Sequence, residues 1–308
     1  RTTDLSKSEQ GFYVTANGLK SDVFKVSIRE PFAEDAYETI TYPVVFHLIQ
    51  DKTKVELGQG VGADIVNYAF NTIYNCFART AAFSPNGADT KIRFRLAEYD
   101  PNGRKMEEKG INRYSLSTSD LNNLNPEKIK NNPKICWDYK RYLNIWIVEN
   151  MGNSVSTPHY ILNTADLNQI QGVSFEQLSL EEIEKQEYSL TDIGLIYGAR
   201  DFAIEDVGYP TQMGKFFGLL DTENQKEDYC EDTFAYNTYK EPWNTALEGS
   251  NSRLKISTDG LIFYSVNIMD ASSYKNTISM DQVKRIRTIT DNCPHRWAWK
   301  SDWAFTGK

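Results

Sequence analysis

Runs of apolar residues broken by alternating and helical patterns organise the chain. Residues 43–49 (Pro-Val-Val-Phe-His-Leu-Ile) form a nearly continuous apolar run, the pattern of a strand buried on both faces. From Gly60 to Ala78 the residues Ile65, Val66, Ala69, Phe70, Ile73 and Phe77 recur at helical spacing, with Asn67, Asn71 and Asn75 opposite, which predicts a helix over 62–78. Ile92 to Leu96 alternates, predicting a strand with one wet face, and Tyr142 to Val148 reads as a second buried strand. Ile193 to Tyr197 is a third strand candidate, and Val283, Ile286, Ile289 and Thr290 share one face of a helix over 280–290. Residues 117–136 are rich in Asn, Ser and Lys, with Pro126 and Pro133, and read as a surface connection in which Ser119 or Asp120 caps a short helix. Glu181 to Lys185 reads as a solvated helix face. Ahead of all this, residues 1–40 are polar, with short alternating pieces such as Val23 to Ile28, and form an N-terminal extension holding one strand or hairpin.

This order predicts an α/β domain over 41–308: a mostly parallel sheet with packed helices over about 41–220, then a loop-rich part over about 221–308. Composition changes the picture little. The 308 residues, 40% of them hydrophobic and 13% aromatic, suffice for a sizeable core. A net charge of -8 and no basic stretch argue against nucleic-acid binding, and no apolar run has membrane length. The chain begins at Arg1, which we read as trimming of a targeting segment. Cys76, Cys136, Cys230 and Cys293 lie far apart, without the paired spacing of a zinc ribbon or thioredoxin site. For an exported chain, Cys230 with Cys293 is the first disulfide to test.

The candidate chemistry lies in Thr211-Gln212-Met213-Gly214-Lys215-Phe216-Phe217-Gly218-Leu219-Leu220-Asp221. Its spacing is that of the long zinc motif H-E-x-x-H-x-x-G-x-x-H, in which two His one turn apart and a third beyond a Gly hold the metal, and the Glu is the general base. Asn267-Ile268-Met269-Asp270 follows where a Met-turn would sit, and Asp228-Tyr229-Cys230-Glu231-Asp232-Thr233 resembles D-x-C-x-D-T. Together with Tyr42 to Ile49, Ile92 to Leu96, the turn Asp100 to Gly103, the loop Gly110 to Arg113 and the strand Tyr142 to Ile147, these segments resemble the pappalysin-type metzincin metalloproteases over roughly residues 40–308. Asp281 to Arg287, Asn292-Cys293-Pro294 and Lys300 to Gly307 resemble the tail of a bacterial lipoprotein branch of that family. The resemblance implies a two-lobed metzincin-like fold and an extracellular, periplasmic or outer-membrane-anchored location.

The chemical positions depart from the family. Thr211, Lys215 and Asp221 stand for the three His, Gln212 for the Glu, and Ala271 for the Tyr that follows the Met-turn, while the framework residues Gly218 and Met269 remain. Gln212 cannot take a proton from water at neutral pH, and Lys215 puts a positive charge where the cation belongs. Gly208 and Pro210 fall where the family's helix is already running, so the helix is predicted to start near 210. The expectation is a catalytically inactive domain without zinc that binds a protein or peptide in the former cleft. An active zinc endopeptidase with unusual ligands and a purely structural surface module are the alternatives. His47 is expected to be packed or structurally bonded, and His159 and His295 lie beside prolines at separations that give no ligand pattern. Glu227, Asp228, Glu231 and Asp232 form either a solvated acidic loop or a calcium site. Finally, Lys215 and Asp221 are expected to pair across the turn at Gly218, with Thr211 or Gln212 supplying a neutral hydrogen bond.

Overall fold

A computed structural model describes residues 9–27, 36–80, 87–203, 208–223, 227–236, 254–258, 260–271 and 275–308. Arg1–Ala36 and Tyr37–Lys308 are two compact units. In the first, Glu9–Phe12 pairs antiparallel with Phe24–Ser27, and Thr15–Ala16 with Leu19–Lys20.

The second unit is built on a sheet of five strands: β1 (Ile40–Asp51), β2 (Ile92–Leu96), β3 (Ile111–Leu116), β4 (Leu143–Val148) and β5 (Gly194–Gly198). Every pairing in it is parallel, in the order β5-β4-β1-β2, and β3 continues the edge that β2 begins. β2 takes Ile40 to Val44 of β1 and β3 takes Phe46 to Asp51. β1 therefore outruns its apolar sequence: Gln50 and Asp51 are polar, yet the β3 ladder keeps them in the strand. The chain crosses to the other side of β1 only with β4, so the sheet's direction of winding reverses between β1 and β4.

The helix α1 (Ala63–Phe77) packs Val66, Ala69, Ile73, Cys76 and Phe77 inward and leaves Asn67 and Asn71 exposed, as its spacing predicts. Two short stretches differ from the sequence reading. Gly110 to Arg113 is not a loop, because Ile111 opens β3, whose alternation from Ile111 to Leu116 suits its single covered edge. In the connection that follows, Ser117, not Ser119 or Asp120, caps the helix Thr118–Asn122, its hydroxyl accepting from Asp120 N–H at 3.1 Å. Glu181 and Glu182 begin a one-turn helix closed by a capping box from Ser179.

Two further helices frame the candidate site. α2 (Tyr209–Phe216) starts at a left-handed Gly208 with Pro210 in its first turn, and α3 (Met280–Asn292) starts with a Ser279/Gln282 capping box. Between them the described residues hold one short antiparallel pair, Leu254–Ile256 with Ile262–Tyr264, and otherwise isolated bridges. The result is a mixed α/β fold, a parallel sheet with packed helices. No helix among the described residues is long and apolar enough to cross a membrane.

Candidate functional site

α2 is short because its sequence stops it. Gly218 sits at φ 83°, a left-handed conformation that costs other residues, and an added Cβ would come within 3.0 Å of Ile289. The turn sends Leu219 inward and brings Asp221 back alongside Lys215. The Lys215 ammonium donates to both oxygens of that carboxylate, at 2.9 and 3.1 Å. Each side chain is a little over a quarter exposed (29% and 28%), so the expected pair across the turn is present and half-buried.

Thr211 and Gln212 do not join that pair. The Thr211 hydroxyl donates to the Ile268 carbonyl at 2.6 Å and accepts from the Lys275 ammonium at 3.1 Å. The Gln212 amide, half-buried, makes no side-chain hydrogen bond among the described residues. The neutral bond thus ties α2 to the segment holding Met269 instead of bracing the ion pair. That segment packs directly under the helix: an added Cβ at Gly214 would lie 3.0 Å from the Met269 sulfur and 3.1 Å from Ile268. Met269 N–H is fixed by Asn267 Oδ1 at 2.9 Å. The next residue, Asp270, is buried and accepts from Thr222 at 2.5 Å and Ser265 at 2.6 Å, while burial raises its carboxyl above the usual range. Ala271 offers no side-chain chemistry, and its N–H donates to the Tyr236 hydroxyl at 2.6 Å.

A catalytic zinc asks for three imidazole, thiolate or carboxylate donors and an open position. The three motif positions here supply one carboxylate, and an ammonium holds it. This donor set does not fit zinc. Nor do the histidines offer one. His47 is fully buried, with Nε2 2.9 Å from Asn144 Oδ1 and Nδ1 2.9 Å from Asn112 Nδ2. Both ring nitrogens are engaged, and burial pushes its pKa down to about 4. His295 is buried among Tyr139, Tyr160 and Tyr188, with a pKa lowered to about 4 by the same cause. His159 lies 3.5 Å from the buried Asp192 carboxylate.

The acidic stretch is turned to structural use. Asp228 accepts from the Thr233 hydroxyl at 2.8 Å and from Cys230 N–H at 3.2 Å. Asp232 accepts from the Ser279 hydroxyl at 2.6 Å and Asp281 N–H at 3.0 Å, so it holds the first turn of α3. Glu227 and Glu231 are exposed. All four cysteines are unpaired, which corrects the Cys230–Cys293 expectation. Cys230 neighbours Asp232 at the start of α3, whereas Cys293 ends it in a cluster with Ile161, Ile170 and Ile289. A helix of 13 residues, about 20 Å, lies between them.

Sequence reasoning missed the two buried arginines behind α2. Arg296, 1% exposed, donates from Nε to the Phe216 carbonyl at 2.8 Å, from Nη2 to the Ser156 carbonyl at 3.2 Å and from Nη1 to the Asp192 carbonyl. Its guanidinium lies 3.6 Å from the Phe216 ring centroid. Arg285, 2% exposed, donates from Nε to the Gly218 carbonyl at 2.5 Å. Both cations meet carbonyls that the end of α2 leaves without helical partners. The signal in the sequence was an Arg beside apolar residues in two stretches, Val283-Lys284-Arg285-Ile286 and Pro294-His295-Arg296-Trp297-Ala298.

No protein-family model matches the chain, and no curated relative matches it. Solved structures do. A promirolysin variant from Tannerella forsythia is 19% identical, with 87% of this chain and 85% of that one covered at a TM-score of 0.54. Tannerella forsythia mature mirolysin in complex with a cleaved peptide is also 19% identical, covering 87% of this chain and 97% of that one, again at 0.54. Mirolysin in complex with a compound is 17% identical at a TM-score of 0.52, covering 87% and 98%. Mirolysin is a metzincin-type metalloprotease, and at these identities the likeness is one of fold.

Proposed function

We propose that a protease-like fold has here become a binding domain without hydrolytic activity, which takes a peptide segment of another protein in the former cleft. One observation carries the reading: Lys215 and Asp221 close on each other at 2.9 Å at two of the three motif positions, while Gly218, Gly214 and Met269 keep the surrounding packing. An ammonium repels a divalent cation, and Gln212 has no proton-accepting role at neutral pH. What remains is a shaped surface. Beside the Met269 segment, Asp232, Phe234, Phe263, Tyr264 and Asn267 line a hollow of about 190 Å³. Phe234 and Tyr264 are 41% and 75% exposed, aromatic side chains available to pack against a peptide. The liganded mirolysin structure holds a cleaved peptide, which makes a peptide the natural occupant to test. The pappalysin subtype, export and a lipid anchor belong to the same proposal and rest on the resemblance of the C-terminal segments.

The test has two arms. Protein purified without chelator is assayed for bound zinc and for cleavage of a mixed peptide library, and the same library carrying a photo-crosslinker is used to map contacts. We expect substoichiometric zinc, no cleavage, and crosslinks at Phe234 and Tyr264. Stoichiometric zinc with cleavage would establish the active endopeptidase instead. Neither cleavage nor crosslinking would leave a structural module.

A further inference from the structure

We propose that the crevice at the carboxyl ends of β1, β4 and β5 is a second binding site, separate from the former cleft, for a small unblocked peptide of dipeptide size. The sheet's winding reverses between β1 and β4, and in open parallel sheets the crevice beyond such a reversal is where ligands collect, because flanking loops diverge there. A cavity of about 640 Å³ occupies that place, within the range of small-molecule sites. Gln50 at the end of β1, Glu149 just after β4 and Gly198 at the end of β5 all line it.

Gln50 is the observation that points to a ligand. It is 95% buried, yet its amide makes no hydrogen bond among the described residues. Its Oε1 reaches over Gly60, where an added Cβ would come within 3.1 Å, and Gly60 lines the same cavity. An amide carries one acceptor and one donor group, so a ligand group that meets both must itself donate and accept. A peptide bond does both.

The charges complete the specificity. Lys54 is bound to Glu149, whose second oxygen accepts from Asp51 N–H at 2.9 Å, so that pair is internally neutral. Arg200 and Asp201, also lining the cavity, have no ion-pair partner among the described residues. One charge of each sign at the same opening suits a zwitterion. The ligand's amide meets Gln50, its carboxylate Arg200 and its ammonium Asp201.

The probe is L-alanyl-L-alanine, titrated calorimetrically into the full chain beside N-acetyl-L-alanyl-L-alanine amide, which keeps the amides and lacks both charges. The free dipeptide is expected to bind with one site and the blocked one at least about tenfold more weakly, with Gln50→Leu and Arg200→Ala each weakening the free dipeptide by about tenfold. Arg200 is exposed, so its variant is expected to keep the parent's unfolding midpoint even if Gln50→Leu fails to fold. No heat at millimolar dipeptide, equal binding of the blocked probe, or parent-like affinity in Arg200→Ala would each overturn the proposal. Because none of these residues touches Lys215, Asp221 or Tyr264, the outcome is independent of the peptide-crosslinking result for the former cleft.

Discussion

On the exposed face of α2, Lys215 meets Asp221 with more than a quarter of each side chain in water. On its buried face, Arg296 hydrogen-bonds no carboxylate among the described residues and instead gathers the carbonyls of Ser156, Asp192 and Phe216 around an enclosed guanidinium. Cations thus meet this helix on both its exposed and its buried face. Side-chain freedom and solvent screening weaken the front pair, whereas the rear cation takes up carbonyls largely withdrawn from water. The difference teaches where this fold keeps its rigidity: behind the former site, in contacts whose loss leaves buried polar groups, and not in the residues standing where a metal would be held.

The most severe way to break that contrast is to remove the rear cation. Arg296→Met is expected to cost roughly 3–5 kcal/mol, because the buried Phe216 and Asp192 carbonyls and the partly buried Ser156 carbonyl lose their donor at once. A urea-unfolding free energy that falls by less than about 1 kcal/mol would put front and rear on the same footing.

Next in size is an acid effect belonging to the buried side. Unfolded histidine titrates near 6.5, about the free value, while His47 and His295 titrate at about 4 in the fold. Below pH 6.5 the unfolded chain therefore takes up protons that the folded chain refuses. Their contribution is fully present above 6.5 and is lost as pH falls toward 4, by at most about 3 kcal/mol per ring. Asp228 and Asp270, raised by burial, act the other way, contributing most in acid and less as pH rises. Stability measured from pH 7 to 4 should fall, and a His47→Gln variant should fall less steeply. A parent curve that is flat over that window would contradict the buried neutral rings.

The smallest effect sharpens the front. In a double-mutant cycle of Lys215→Met and Asp221→Leu, the coupling is expected at about 0–1 kcal/mol. A coupling of several kcal/mol would mean that the pair is as structural as Arg296.

Four of the five sheet strands, α1, the start of α2 and the extent of α3 were legible because each carries a hydrophobic period that only burial explains. The Lys215–Asp221 contact was legible too, since a turn at a left-handed Gly brings residues six apart together. What escaped has a common physical cause. The turn at Gly218 fixes who can meet across it, but it does not fix where a hydroxyl one turn earlier points, and Thr211 found the Ile268 carbonyl instead. β3 hid because alternation over six residues beside a turn looks like a loop until a partner edge is known. At Asp228 and Asp232 the sequence left a solvated loop and a calcium site open, because composition cannot reveal that hydroxyls and amide protons from Thr233, Ser279 and Asp281 meet their oxygens. The arginines were invisible for the strongest reason: their partners are carbonyls, which every residue has.

The position of Arg296 in the chain sets the timetable of biosynthesis. Tyr42 on the first strand of the sheet donates to the Arg296 carbonyl at 2.6 Å across a separation of 254 residues. The guanidinium of that same residue joins segments near 156, 192 and 216. A ribosome has therefore delivered the whole sheet and α2 long before the residue that locks them exists. During that interval the nascent chain carries an apolar β1 whose tertiary partners are incomplete, the situation in which slow, long-range topologies depend on chaperones.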